Sequence, residues 1–454
     1  MLTLHIKYDK LRNNLVFGGM IMSNNIINIG ILGVGTVGTG VARILTEQRE
    51  LLQTRTSSVF RLKTVVDIDW KRDRKLNLQG VKISTNPDDI LNDPEIDIVV
   101  ETIGGYEPAF TYICQAMKNH KHVVTANKAL IATKGKEIFR LAKENRVDLL
   151  FEASVGGGIP IIKGLKEGLV ANNILNIYGI INGTSNYILT RMHEDELSFE
   201  EALKQAQEKG FAEADPTLDV CGGDAAHKLT ILASIASSSI VNFSDIYVEG
   251  ITDITKLDID FAKQFGYVVK LLAIYRLIDD GLDLRVHPTL VPKNHLLAAV
   301  NNELNAIFVN GDFVGSTMFY GPGAGERPTA SAIVSDLVDL SRDLLLKEGQ
   351  RFCNRAIDVT RTLKTIPLAK INNRFYLRMF TLDKPGILSK ISGTLGKFNI
   401  SISSVIQLET HGVKDYVPLV ILTHEASEAD MHKALAEISD YPFIKGKVLR
   451  MRLF

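Results

Sequence analysis

Cysteine is scarce: the 454 residues contain Cys114, Cys221 and Cys353 and no others, far apart along the chain. No two have the spacing of a zinc ligand set or a redox pair, and such usage fits a reducing, cytoplasmic compartment. An excess of charge of either sign is also missing, because 52 Lys and Arg balance 52 Asp and Glu. No global field therefore points to nucleic acid or an anionic membrane, and a small neutral partner is expected. No apolar run reaches the roughly 18 residues that suggest a membrane span, and no basic-then-apolar leader with a cleavage site opens the chain. A G-x-S-x-G elbow is absent, which leaves serine acyl chemistry without support. His and Cys do not cluster in a zinc pattern, and His227, next to Lys228, reads as incidental.

What is present begins with "IINIGIL", Ile26 to Leu32, a continuous apolar run of the kind expected for a strand buried on both faces. It leads into "GVGTVGTGV", in which Gly33, Gly35 and Gly38 form G-x-G-x-x-G. Helically spaced apolar residues follow. In this strand-turn-helix order the first glycine allows the tight turn, the second admits a pyrophosphate and the third lets helix pack on strand. The amides and dipole of the helix N-terminus would hold the phosphates. A second strand, "RLKTVVD", ends at Asp67, with Lys71 and Arg72 close behind. An acid there suits a ribose 2′-hydroxyl and the cations suit a 2′-phosphate, so NAD and NADP both stay open. Strands in "DIVVETIGG" and "HVVTANKAL" alternate with helices, which predicts a parallel, doubly wound sheet over residues 26–150.

Residues 151–325 change character: glycine-rich turns precede helices, and strands such as "LDLRVHPTLVP" and "NAIFVNGDFVGSTMFYGPGAG" read as an antiparallel sheet. This predicts an α+β substrate and dimerisation domain, in a homodimer or homotetramer. Residues 326–370 hold a helix, "ERPTASAIVSDLVDLSRDLL", suited to folding back on the nucleotide domain, and a linker. Residues 371–454 repeat strand, helix, strand and predict a ferredoxin-like split unit. Residues 1–25 read as an N-terminal extension, with Met22 the expected natural start.

Several polar residues invite chemistry. Lys228 follows Asp224 by four, so on a helix they share a face. They are either a surface ion pair or, since the apolar "LTILASIA" follows at once, a lysine held in a cleft where it can exchange a proton. Glu213, Asp215 and Asp219 stand upstream in a loop suited to a substrate ammonium, or simply solvated. Lys128 follows a strand at its carboxyl end, where ligands bind in such sheets, or is simply a surface lysine at a helix start. Glu152 precedes the glycine run Gly156 to Gly158, which is either a sharp turn or an oxygen-rich loop for a hard cation.

Taken together, "GVGTVGTGV", "TANKALIA", "FEASVGGGIPII", "NGTSNYIL", "FAEADPTLDVCGGDAAHKL" and "GPGAGERPTASAIVSDL" resemble homoserine dehydrogenases, in order and at suitable distances. The resemblance covers Ile26 to Phe454 and the monofunctional form, without the aspartate kinase fused to some relatives. It implies NAD(P)-dependent interconversion of L-homoserine and L-aspartate 4-semialdehyde in threonine and methionine biosynthesis. Lys228 is then the proton donor, with Lys128 beside substrate and nicotinamide. Glu213, Asp219 and Asp224, with Gly183 and Thr184, would hold the amino acid. Gly33, Val34, Gly35, Thr36, Val37, Gly38, Thr102, Lys128, Gly210 and Gly325 would line the cofactor, with Lys71 or Arg72 nearby. Glu152, Val155, Gly157 and Ile159 match a monovalent cation loop, commonly sodium. "DKPGIL", Asp383 to Leu388, resembles the signature of an ACT domain, with threonine the expected effector. One departure is Ile68, where many relatives carry an NADP-selecting arginine. Two rival readings are an aspartate-semialdehyde dehydrogenase, which would need Cys221 as nucleophile, and a non-catalytic amino-acid sensor.

Overall fold

The computed structural model describes residues 25–345, 357, 359–407 and 416–454. Residues 1–24 of the expected extension, and Cys353, lie outside them. The first sheet is built of β1 (Asn25–Leu32), β2 (Ser58–Val66), β3 (Lys82–Ser84), β4 (Ile98–Glu101), β5 (His122–Thr125) and β6 (Leu149–Leu150). Every neighbouring pair is parallel and the order is β3-β2-β1-β4-β5-β6. The chain reverses its winding between β1 and β4, the crevice where such sheets bind nucleotides. Helices α1 (Thr36–Glu47), α2 (Arg49–Thr56), α3 (Asp88–Leu91), α4 (Ala109–Lys118) and α5 (Lys128–Asn145) make the connections. Helices on both faces explain why β1 is nearly all apolar: Ile27, Ile29, Ile31 and Leu32 are all buried.

The middle of the chain adds α6 (Ile161–Lys163), β7 (Ile174–Ile180), α7 (Gly183–Glu194), α8 (Phe199–Glu208), α9 (Thr217–Val220), α10 (Gly223–Ser237), β8 (Tyr247–Val248) and α11 (Lys256–Gln264). The long hairpin of β9 (Tyr267–Ile278) and β10 (Gly281–Pro292) follows, then β11 (Leu304–Gly311) and β12 (Gly315–Pro322). Asp219, expected in a loop, sits instead in the single turn α9. Helix α10 is apolar nearly all round because it is buried nearly all round, with Ala225, Ala226, Leu229, Ile231, Leu232 and Ala233 at 2% exposure or less.

After β12, α12 (Glu326–Leu345) returns to the first domain. Its Ala330, Ile333 and Leu337 join the core formed by Ile29, Ile31 and Val41. Gly40 of α1 permits the contact: a Cβ there would stand 2.8 Å from the Glu326 carbonyl oxygen.

The C-terminal part contains β13 (Lys364–Thr365), β14 (Asn372–Asn373), β15 (Phe375–Leu382), α13 (Ile387–Lys397), β16 (Ile402–Gln407), β17 (Tyr416–Thr423), β18 (Ala426–Ser427), α14 (Glu428–Ser439) and β19 (Ile444–Leu453). Its main strands lie in the order β19-β15-β17-β16, the ferredoxin-like arrangement expected. Less expected is its union with the middle domain. β19 pairs in parallel with β10, Thr289 opposite Arg452 and Leu290 opposite Leu453, giving one 11-stranded sheet. Among the described residues no helix is long and apolar enough to cross a membrane.

Candidate active site

The glycine fingerprint turns where β1 meets α1. Gly33 has φ +91°, and a Cβ on it would stand 2.9 Å from the backbone of Thr102 and Ile103. A Cβ on Gly38 would fall 2.0 Å from the Gly33 carbonyl oxygen, so only glycine lets α1 start this close to the strand. A Cβ on Gly35 would meet nothing within 4 Å, which leaves its backbone open where a pyrophosphate would approach. Val34, Thr36 and Val37 complete the turn. Thr102 supports it from just past β4, its hydroxyl donating to the Gly33 carbonyl at 2.6 Å. Asp67, at the end of β2, accepts the Val34 N–H at 2.6 Å.

Lys71 and Arg72 are exposed in the loop after β2. The cation folded onto the fingerprint is a third one, Arg74. Its Nε donates to the Val34 carbonyl at 2.6 Å, its Nη2 lies 3.4 Å from Asp67, and its guanidinium stacks over Trp70 at 4.8 Å. Nothing in "WKRDRK" singles out Arg74; stacking on Trp70 does.

Across the crevice, α10 brings Asp224 and Lys228 together below the surface, so the surface-pair reading does not hold. Lys228 Nζ donates to Asp224 Oδ2 and to the Ile181 carbonyl, both at 2.7 Å. Lys128, at the first turn of α5, reaches the other carboxylate oxygen at 2.8 Å and keeps 37% of its side chain exposed. One buried carboxylate thus bridges two lysines. Burial opposes the charge on Asp224, but the two ammonium groups outweigh it and hold its pKa well below the usual carboxylate range. The lysines diverge. Burial, with Lys128 as a like charge, pulls Lys228 below the ordinary lysine value despite Asp224. For Lys128, burial is outweighed by Asp224, with help from Asp219 and Glu213, and its pKa rises. One lysine thus gives up its proton more readily than an ordinary amine and the other less readily.

Asn182 organises the acids. Its Nδ2 donates to Asp219 at 2.7 Å and to Asp224 at 2.8 Å, while its Oδ1 caps α7 by accepting the Ser185 N–H at 2.7 Å. Burial, with Asp224 adding to it, raises Asp219 above its ordinary value although Asn182 opposes this. Gly183 begins α7, where a Cβ would stand 2.7 Å from the Glu303 carbonyl oxygen. Thr184 donates its hydroxyl to the Phe211 carbonyl at 2.6 Å, which ties down the acidic loop two residues before the exposed Glu213. Gly210, with φ +76°, opens that loop. Asn182 was legible only as the first letter of "NGTSN"; no spacing links it to the acids 37 and 42 residues away.

The glycine run Gly156 to Gly158 makes a close approach between loops. A Cβ on Gly157 would stand 2.6 Å from the Gly323 backbone, and one on Gly158 2.9 Å from Pro328, so Gly323 and the start of α12 lie against this run, with Gly325 between them in sequence. The Glu152 carboxylate faces the start of α6, accepting N–H groups of Ile162 at 2.9 Å and Lys163 at 2.8 Å. Burial, with the Asp336 carboxylate beside it, pushes its pKa up to about 7. Asp336 itself is pushed up to about 6 by burial. One ammonium, Lys163, serves both Asp336, at 3.3 Å, and Asp339, at 2.5 Å. Arg342 meets Asp339 as well, at 3.2 Å, and the Glu152 N–H donates to Asp336 at 2.9 Å. The Ile159 carbonyl accepts the Ile161 N–H at 2.8 Å, while Val155 is fully buried. No group of three or more His, Cys, Asp or Glu suited to a metal occurs among the described residues.

Comparison with known proteins gives this geometry a family. Residues 33–152 match the homoserine dehydrogenase NAD-binding domain, 160–338 the homoserine dehydrogenase domain and 375–443 the ACT domain. Homoserine dehydrogenase of Pseudomonas aeruginosa is 43% identical over 430 residues, covering 94% of this chain and 98% of its own. The chain belongs to the homoserine dehydrogenase family. The homoserine dehydrogenase of Bacillus subtilis is 41% identical over 92% of this chain and 96% of its own. A solved homoserine dehydrogenase from Thiobacillus denitrificans superposes with a TM-score of 0.89 at 44% identity, covering 95% of this chain and 98% of that one. A hyperthermophilic archaeal homoserine dehydrogenase solved in complex with NADPH matches 69% of this chain and 97% of its own, at 26% identity and a TM-score of 0.59. As a homoserine dehydrogenase the chain is an oxidoreductase with an NAD(P)-binding domain, and neither rival reading stands. Cys221, the nucleophile that one rival required, is exposed on the turn before α10.

Proposed function

We propose that the cluster of Lys128, Asp224 and Lys228 is where L-homoserine and L-aspartate 4-semialdehyde are interconverted. The observation that carries this is the single buried carboxylate bonded to two lysines of opposite pKa tendency. NAD or NADP, when bound along Gly33 to Gly38, supplies or takes the hydride. In the direction of reduction, negative charge grows on the aldehyde oxygen, and the Lys228 ammonium delivers the proton that completes the hydroxyl. In the reverse direction neutral Lys228 takes the hydroxyl proton. Lys128 stays charged, polarises the same oxygen and faces the nicotinamide side. Asp219, Asp224 and Glu213 receive the substrate ammonium, with Gly183 and Thr184 shaping that end of the cleft.

Thr102, Gly210 and Gly325 line the cofactor, and Asp67 and Arg74 face the adenosine ribose more closely than Lys71 or Arg72. Glu152, with the carbonyls of Val155, Gly157 and Ile159, would hold a monovalent cation, sodium being the expected one, which would relieve the local excess of carboxylates. The ACT domain is the expected receptor for threonine as feedback effector, in a cytoplasmic dimer or tetramer serving threonine and methionine synthesis.

The test follows NAD(P)H absorbance with L-homoserine in one direction and aspartate semialdehyde in the other, without phosphate, with and without threonine. Turnover in both directions supports the reaction; no turnover with either cofactor overturns it. Inhibition by threonine supports the effector, and an unchanged rate overturns that part alone.

A further inference from the structure

The C-terminal strand of the ACT domain ends in a salt-bridge cluster that reaches into the middle domain. On β19, Arg450 Nη2 lies 2.9 Å from Glu249 Oε1 and Arg452 Nη1 2.6 Å from Glu249 Oε2. Tyr247 also donates its hydroxyl to Glu249. The arginines are secured from behind: Arg452 Nε lies 2.5 Å from Glu428, itself buried, and Arg450 Nη1 3.2 Å from the same carboxylate. Glu249 is thus clamped from one side by the ACT sheet, and its own N–H donates to the Val286 carbonyl of β10 at 2.7 Å.

On the other side, the residues around Glu249 press on the turn that carries the substrate-binding acids. The Ile251 N–H donates to the Val220 carbonyl at 2.8 Å. A Cβ on Gly250 would stand 2.3 Å from the Val220 carbonyl oxygen and 2.6 Å from Cys221 Cα. A Cβ on Gly222, at φ +84°, would stand 3.0 Å from Val248 and 3.3 Å from the Glu249 carbonyl oxygen. Gly250 is there because two backbones meet, and Gly222 because its φ is positive and the Val248 and Val286 side chains close on it. The turn so held runs from Asp219 to Asp224, and the backbone of Gly250 and Ile251 meets it directly at Val220 and Cys221.

We propose that Glu249 is a positioning residue for Asp219 and Asp224, through which Arg450 and Arg452 of the ACT domain set the substrate end of the active site. This rests on the reading that those acids receive the substrate. It makes the ACT domain part of the working geometry even without an effector, since moving β19 relative to β10 must move Glu249 or break its clamp.

Glu249→Gln and Arg450→Met test this in the full-length enzyme, with KM and kcat for L-homoserine at saturating cofactor and NADH affinity by fluorescence titration. We expect KM to rise about 3- to 30-fold in each variant, with a smaller fall in kcat through Asp224 and NADH affinity little changed. The double variant should be no worse than the poorer single one, because both substitutions cut one link. Folded variants with wild-type KM, whatever their melting temperature, overturn the proposal and leave a merely structural salt bridge. If Glu249→Gln does not fold, Arg450→Met decides by the same criterion. Asp219→Asn is the control for the underlying reading: an unchanged KM there would show that the acids do not receive substrate, a failure separate from that of Glu249.

Discussion

Replacing Lys228 by methionine removes the proposed proton donor while keeping most of the volume. The structure says what this should do to the fold. Asp224 loses one partner at 2.7 Å but keeps Lys128 at 2.8 Å and the Asn182 amide at 2.8 Å, so no carboxylate is left bare. The Ile181 carbonyl loses its donor, a cost of about 1–3 kcal/mol, and relief of lysine burial offsets part of it. Stability should therefore fall only modestly. Catalysis should fall far more: losing a positioned acid costs about 10²- to 10⁴-fold in kcat, or about 3–5 kcal/mol of barrier.

The pH dependence sharpens the test. Burial and Lys128 lower the Lys228 pKa from its ordinary 10.5. Homoserine oxidation needs the neutral amine and should accelerate as pH rises through that lowered value, while aldehyde reduction should slow. Both limbs should vanish in Lys228→Met. In Lys128→Met the limb should move to higher pH, since a like charge is gone. Stopped-flow measurement of NAD(P)H absorbance, with cofactor affinity measured separately, checks all of this. Turnover within tenfold of wild type, or a surviving limb, would place the proton transfer on another group.

Asn182→Ala removes a helix cap, worth about 1 kcal/mol, and the donor shared by Asp219 and Asp224; KM for homoserine should rise about tenfold or more, and an unchanged KM would show that the bridge does not shape the site. Glu152, raised to about 7 by burial and Asp336, favours its protonated form in the fold. Stability is undiminished below about pH 4.5 and is lost as pH rises to about 7, by about 3 kcal/mol in the absence of a cation. Sodium chloride should then raise the melting temperature over equimolar choline chloride at pH 8 but not at pH 5, and equal values at pH 8 would count against a cation at Glu152. Asp67→Ser takes a carboxylate from beside the expected ribose site and should raise the NADPH-to-NADH affinity ratio about tenfold; a ratio that stays put in fluorescence titration would show that Asp67 acts only as a brace for Val34.

The parts of this molecule that are legible in sequence are those with local causes. The turn at Gly33, Gly35 and Gly38 is fixed by two backbone clashes, Gly38 against the Gly33 carbonyl and Gly33 against Thr102 and Ile103, with open space at Gly35, and so leaves a short readable motif. Asp224 and Lys228 share a helix, and their spacing shows the pairing though not the burial that decides its chemistry. What stays hidden is long-range. Lys128 meets Asp224 only because α5 packs against α10, which follows it far along the chain. Arg74 is chosen over its neighbours by Trp70, and the joining of β10 to β19 depends on two residue pairs more than 160 positions apart in sequence.

The return of α12 to α1 bears on how the chain is made. The nucleotide domain is encoded first, yet Ala330, Ile333 and Leu337 complete its core. During synthesis, Ile29, Ile31 and Val41 must wait with one apolar face uncovered until the whole middle domain has emerged from the ribosome. A gene fragment ending after β6 should therefore yield an aggregating product rather than a free-standing nucleotide-binding module.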